Sequence, residues 1–245
     1  MTATARSDDP YDADGAGTST LELLEGAAQY NRWLVSKLLP FLGSRNLELG
    51  AGHGTLTALV AAERDLVASE PSASGRRAMA ERFSTNPRVL GIVGDLSELS
   101  EQDMFDAIYS ANVLEHVADD VSLIKTASKH LRPGGHVVAI VPAGGWLYSP
   151  FDASLGHYRR YTRADRIRLS TALAADSKPL ALVAFRPFNP VGALGWFVRM
   201  RLLRAERIPA ADAARFDRLL PVLRVLDRLH VPFGQNLLMA FRKCA

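Results

Sequence analysis

The sequence predicts an α/β protein built on a doubly wound, seven-stranded, mostly parallel sheet. Three observations carry this expectation. From Asn46 onward, short β-like runs alternate with helix-sized segments, the rhythm of βαβ units. Glycine, proline and capping residues punctuate the junctions between them. The chain of 245 residues, 48% hydrophobic and 22% charged, is long enough to bury one large core without dividing into independent domains.

In chain order, Leu21 to Leu42 has apolar residues at Leu24, Ala28, Leu34, Leu38 and Leu39, near helical spacing, and reads as one or two lead-in helices stopping at Pro40 and Gly43. Strands are expected at Asn46 to Gly50, Leu66 to Glu70, Val89 to Gly94, Phe105 to Ala111, His136 to Pro142, Leu180 to Phe185 and Asn236 to Arg242. Thr55 to Glu63, Ser74 to Phe83 and Asp120 to Leu131 read as intervening helices. Ser72 and Asp119 are natural N-caps, because a short side-chain oxygen can accept from the orphan N–H groups of a first helical turn. Pro133-Gly134-Gly135 ends a helix and turns the chain into a strand. Thr162 with Asp165 offers a relative of the capping box for a further helix. Gly195 to His230 has helical period, with breaks expected near Pro209 and Pro221, and Leu219, Val222, Leu223, Leu226 and Leu229 read as its core face.

Composition narrows the function classes. The longest apolar runs, such as Val137 to Val141, are strand-sized and far short of the roughly 20 residues that a membrane-spanning helix needs. Residues 1–20, with Asp8, Asp9, Asp12 and Asp14, have neither a basic start nor an apolar stretch; a mobile tail without a signal peptide is expected there, followed by one domain over 21–245. The single cysteine, Cys244, excludes an internal disulfide and a thiolate cluster, and the cytoplasm is the expected compartment. Between Arg186 and Lys243 stand eleven Lys or Arg against four Asp or Glu. Solvated helix faces account for this, and contact with an anionic substrate or a membrane surface fits as well.

The strongest chemical signal is Leu47-Glu48-Leu49-Gly50-Ala51-Gly52-His53-Gly54, between the first strand and the first helix. Gly50, Gly52 and Gly54 allow a sharp turn and close approach of a ligand, because no Cβ intervenes. A dinucleotide site is the rival reading. Its fingerprint wants glycine at the first, third and sixth positions, whereas here the fifth is Gly54 and the sixth is Thr55. Glu48 is also awkward beside a pyrophosphate, yet it suits a cationic ligand group.

The segment Glu48-Leu-Gly-Ala-Gly-His-Gly54 resembles motif I of the class I S-adenosylmethionine (SAM)-dependent methyltransferases, of the small-molecule type 11/12 kind. Glu70, ending Val67-Ala-Ser-Glu70, resembles the family acid that accepts from the ribose hydroxyls. Asp95, with Leu96, resembles the acid and backbone N–H that meet the adenine. Phe105 to His116 resembles motif IV and the turn beyond it, with Asn112 and Val113 beside the methionine part of SAM. Leu131-Arg-Pro-Gly-Gly135 resembles the turn before the fifth strand. Together these motifs cover residues 25 to 142. The resemblance implies a Rossmann-like methyltransferase fold with a helical C-terminal insertion, SAM as cofactor and S-adenosylhomocysteine as product. The implied cofactor contacts are Tyr30, Glu48, Gly50, Ala51, Gly52, Gly54, Glu70, Pro71, Asp95, Leu96, Asn112 and Val113.

The acceptor side falls where the strand–helix rhythm breaks, because such sheets bind ligands at the carboxyl ends of their strands. Segments 143–162 and 187–234 are therefore read as substrate-side or lid insertions. Trp146, Tyr148, Tyr158, Arg159 and Arg160 are candidate substrate contacts, and His157, Tyr161 and His116 candidate catalytic groups, His157 as a base. Two roles fit the His157 to Tyr161 cluster equally: contact with an acceptor, or pinning of the insertion to the sheet. Phe188 to Phe197 fits a lid over an apolar acceptor, a dimer face or a peripheral membrane contact. No metal is implied, since His53, His116, His130, His136, His157 and His230 lack paired spacing on one helix.

The expected function is methyl transfer to an O, N or C atom of a small molecule such as a natural product, lipid-linked or sugar-bearing acceptor, by a monomer or homodimer. SAM binding for other chemistry, or a nucleotide-dependent oxidoreductase, are the alternatives. Nucleic acid is not expected as a partner, because no basic surface motif interleaved with aromatics is present and Ser110-Ala-Asn-Val stands at the end of the fourth strand in place of an Asn-Pro-Pro-Tyr type motif.

Overall fold

The computed structural model describes residues 26–205, 210–225 and 231–244. The expected N-terminal tail, and Pro209, Leu226, Leu229 and His230, lie outside these residues. Helix α1 (Ala28–Leu38) runs into a 3-10 turn at Leu39–Phe41. Next come β1 (Arg45–Leu49), α2 (Thr55–Val60), β2 (Asp65–Ser69), α3 (Ala73–Arg82), β3 (Val89–Val93), β4 (Phe105–Ala111), α4 (Asp120–Lys129) and β5 (Leu131–Pro142). The second half adds α5 (Pro150–Ser154), α6 (Arg163–Ala174), β6 (Leu180–Phe188), α7 (Pro190–Trp196), a π-helical stretch at Phe197–Leu202, α8 (Ala210–Leu223) and β7 (Asn236–Lys243).

The strands form one seven-stranded sheet in the order β3-β2-β1-β4-β5-β7-β6. β1 to β5 pair parallel, whereas β7 enters antiparallel between β5 and β6. A parallel sheet joined by helical crossovers is covered on both faces, and the strand period of two divides each strand between them. In β5, Val138 and Ile140 join Trp33, Val60 and Tyr109 on one face, while Val137, Ala139 and Val141 join Ile124, Leu169 and Phe241 on the other. Every expected strand is present with ends within three residues of expectation, except that β5 starts five residues early, at Leu131, so Pro133-Gly134-Gly135 lies within the strand and not in a turn before it.

The caps form as the side-chain chemistry dictates. Ser72 accepts from Gly75 N and Asp119 from Ser122 N, at the starts of α3 and α4. Asp165 accepts the Thr162 N–H at 3.0 Å, closing the capping box of α6. Two expectations are corrected. Pro221 lies inside α8 and does not break it. Leu219 and Val222 are exposed (57% and 71%), whereas Leu220 is buried in the core, so the apolar face is rotated from the one read in the sequence. Among the described residues no helix is long and apolar enough to cross a membrane.

Candidate functional site

At the carboxyl edge of β1, β2 and β4 lies a cavity of about 460 Å³. Its size falls in the ordinary range for a small-molecule site. Its floor is the loop between β1 and α2. Gly50, Gly52 and Gly54 all hold positive φ (65°, 56° and 79°). A Cβ on Gly50 would meet the Val113 side chain at 2.6 Å, and one on Gly54 would strike the Phe83 ring at 2.4 Å. The loop is thus both left-handed and tightly enclosed, which demands glycine.

Glu70 comes directly after β2 and is 8% exposed. Its Oε2 accepts from Gly52 N at 2.7 Å and its Oε1 from Ser72 N at 2.8 Å. Each carboxylate oxygen keeps a lone pair beyond these bonds, available to hydroxyls in the cavity. Glu70, Pro71, Gly50, Ala51, Gly52, Asn112, Val113 and Tyr30 all line the hollow. Tyr30 donates its hydroxyl to Asn236 Oδ1 at 3.2 Å, and burial pushes its pKa up to about 12, so it is a neutral donor. Its helical neighbour Trp33 is instead a core residue, packed edge-on against Phe188.

Four implied cofactor contacts stand off the lining of the hollow. Glu48 lies beneath the loop, 3% exposed, and its Oε2 accepts from Thr57 Oγ1 at 2.6 Å and Tyr109 OH at 2.9 Å. Strand alternation turns it into the sheet–helix core, off the cavity lining. Burial raises its pKa to about 7, against the opposing effect of those two hydrogen bonds. Gly54 is the left-handed N-cap of α2 and serves the turn. Asp95 is exposed and caps the 3-10 turn Leu96–Glu98 through Ser97 N at 2.6 Å; neither Asp95 nor Leu96 borders the hollow.

The same hollow has a polar pole. Glu115 is fully buried in the 3-10 turn after β4, and neither of its carboxylate oxygens receives a hydrogen bond. Desolvation lifts its pKa to about 8. The rings of His116 and His157 meet edge to face, 4.6 Å between centroids. His157 Nδ1 lies 3.1 Å from Asp152 Oδ1, which also accepts from Arg160 Nε at 2.7 Å. Asp152 is held in turn by the N–H and hydroxyl of Ser149, both at 2.8 Å. Burial would raise the Asp152 pKa, but its partners, the His157 ring and the Arg160 guanidinium among them, hold it below the usual carboxylate value. Phe151, Leu155 and Trp196 supply an apolar wall, with the Arg160 guanidinium stacked 4.4 Å over the Trp196 ring.

Of the predicted catalytic and substrate residues, His116, His157 and Arg160 line the cavity. The others are corrected. Tyr161 is 1% exposed and donates to Asp120 Oδ2 at 2.8 Å, in the core on the far side of the insertion. Arg159 braces the same Asp120 at 3.0 Å and the Ala118 carbonyl at 2.7 Å. Tyr148 donates to the His157 carbonyl at 2.7 Å and positions that residue without bordering the hollow. Tyr158 (61% exposed) and Trp146 (46% exposed, tilted against Phe197) face outward. The cluster therefore divides, with His157 and Arg160 lining the hollow and Tyr161 and Arg159 tied to the elements beside it. Asp152, Asn31 and Asn236 were not foreseen, and the one sequence signal for the Glu115 pole was Glu115-His116 directly after the fourth strand. Histidines without paired spacing on one helix still meet in space, because the fold brings Glu115, His116 and His157 together.

Comparison with known proteins agrees with this architecture. Residues 47–137 match the family model of a methyltransferase domain. The ubiquinone biosynthesis O-methyltransferase of Vibrio atlanticus is 29% identical over 110 residues, covering 43% of this chain and 46% of the relative. The 27-O-demethylrifamycin SV methyltransferase of Amycolatopsis mediterranei is 29% identical over 119 residues, 46% of this chain and 42% of the relative. The match thus spans about half the length of these curated relatives. Among solved structures, the N-methyltransferase NodS of Bradyrhizobium japonicum, in complex with S-adenosylhomocysteine, shares the fold with a TM-score of 0.51 at 16% identity, over 97% of this chain and 93% of that one.

Proposed function

We propose, on the premise that the chain belongs to the class I SAM-dependent methyltransferase family through residues 47–137, that it transfers a methyl group from SAM to a small-molecule acceptor. One observation carries this reading: a single hollow is lined both by the glycine loop with Glu70 and by Glu115, His116 and His157. The names of the relatives, both O-methyltransferases by substrate or position, favour a hydroxyl acceptor.

The residues present fit the cofactor. The loop offers backbone without Cβ atoms, Glu70 offers paired acceptors to vicinal hydroxyls, and Tyr30, Asn31 and Leu34 form the cover. When bound, SAM supplies an electrophilic methyl group on a sulfonium that is already a good leaving group. The protein's share is then positioning and exclusion of water. Phe151, Leu155 and Trp196 shield the acceptor, and the Glu115 pole polarises its nucleophilic atom. Asp152 fixes the His157 ring through Nδ1, leaving Nε2 as the nitrogen for that task. Segments 143–162 and 187–234 act as acceptor-side insertions, since Arg160 comes from the first and Trp196 from the second.

Calorimetric titration with S-adenosylhomocysteine tests the reading. Binding is expected in the wild type, and Glu70→Ala is expected to weaken it by roughly ten- to hundredfold, as loss of a buried hydrogen-bonding carboxylate does. Absence of binding, or equal affinity in the variant, overturns the cofactor assignment.

A further inference from the structure

The Glu115 pole has the composition of a metal-ligand set, and we propose that Glu115, His116 and His157 form a site for a divalent transition cation of the zinc class. Each residue offers one ligand atom, and the three atoms lie within 4.8 Å of one another. A tetrahedral ion with bonds of about 2.1 Å needs its ligand atoms about 3.4 Å apart, within reach of small side-chain rotations. Two imidazoles and one carboxylate are a donor set that leaves a position open for a further ligand.

Two independent features point the same way. The Glu115 carboxyl is 0% exposed and neither oxygen has a hydrogen-bond partner, an arrangement that disfavours the lone anion and that a cation would relieve. Asp152 takes the Nδ1 side of His157 at 3.1 Å, the carboxylate–histidine pairing that fixes a ligating ring in one tautomer and orientation. The opposing charge is Arg160, whose guanidinium is committed to Asp152 through Nε at 2.7 Å and stacked on Trp196. Binding of the cation stands by itself. Its use rests on the methyl-transfer reading: with His157 Nε2 then bound to the cation in place of the acceptor, an acceptor hydroxyl entering the open position would be acidified by the cation and release its proton to solvent.

The 245-residue chain, stripped with EDTA, is titrated calorimetrically with zinc chloride, and cobalt(II) uptake is followed by its visible absorption. One saturable site is expected, and Glu115→Gln and His116→Asn should each weaken it by roughly tenfold or more, the scale of removing a group that supports a metal site. Thermal unfolding identifies which variants are folded, and either variant that folds decides the question. No saturable uptake by the wild type, or unchanged affinity in the folded variants, overturns the site. S-adenosylhomocysteine titrated into the same stripped protein separates the two readings. Its binding without zinc uptake removes the cation site alone, and zinc uptake without its binding removes the cofactor assignment alone.

Discussion

Glu48→Gln should stabilise the protein, and by an amount that depends on pH. Glu48 is buried under the glycine loop with a pKa raised from 4.5 to about 7, chiefly by desolvation. Below the lower value the group is neutral in both folded and unfolded chains. As pH rises, the unfolded chain ionises first and binds fewer protons, so stability is lost progressively until the folded-state pKa is passed. The gap corresponds to roughly 3 kcal/mol. Both hydrogen bonds, from Thr57 and Tyr109, fall on Oε2, so a glutamine carbonyl oxygen in that position can accept the same pair. The variant keeps the bonds and removes the titration. In paired thermal unfolding curves, the advantage of the variant should therefore grow from pH 4.5 to above pH 7. At about 2–4 °C per kcal/mol for a chain of this size, the difference in Tm should widen by roughly 6–12 °C. Taking the difference between two proteins cancels the other carboxylates. Parallel curves across that window would refute the claim that this carboxyl is held neutral by burial.

The site carries two further expected outcomes. Gly54→Ala places a Cβ at φ 79° and 2.4 Å from the Phe83 ring. The left-handed backbone and the overpacking together should lower stability by about 2–4 kcal/mol in chemical denaturation; a loss within experimental error would mean the loop is not locked as described. His157→Gln should reduce turnover by at least roughly tenfold, the lower range for a group that assists proton movement, while S-adenosylhomocysteine affinity stays within about threefold. Equal loss of both would make His157 a structural residue of the whole hollow.

The fold was legible because its signals are local. Alternating apolar runs from Asn46 to Pro142, the caps at Ser72, Asp119 and Thr162, and the spacing of Gly50, Gly52 and Gly54 are set by backbone geometry and by neighbours a few residues away. Glu70 was legible for the same reason, since it ends a strand whose direction puts it at the cavity. Side-chain direction and long-range pairing were not. Glu48 and Glu70 both read as acids at strand ends, yet the pleat sends one into the core and the other to the cavity. Tyr161 and Arg159 sit beside His157 and Arg160 in sequence, but Asp120 draws the first pair away while Asp152 draws the second inward. The meeting of Glu115, His116 and His157 depends on an insertion after β5 folding back over the turn after β4, a contact that no periodicity encodes. Sequence thus determined at which edge the sheet opens onto a cavity, and tertiary packing decided which charged groups stand on it, because the cost of burying a charge is settled by partners distant in the chain.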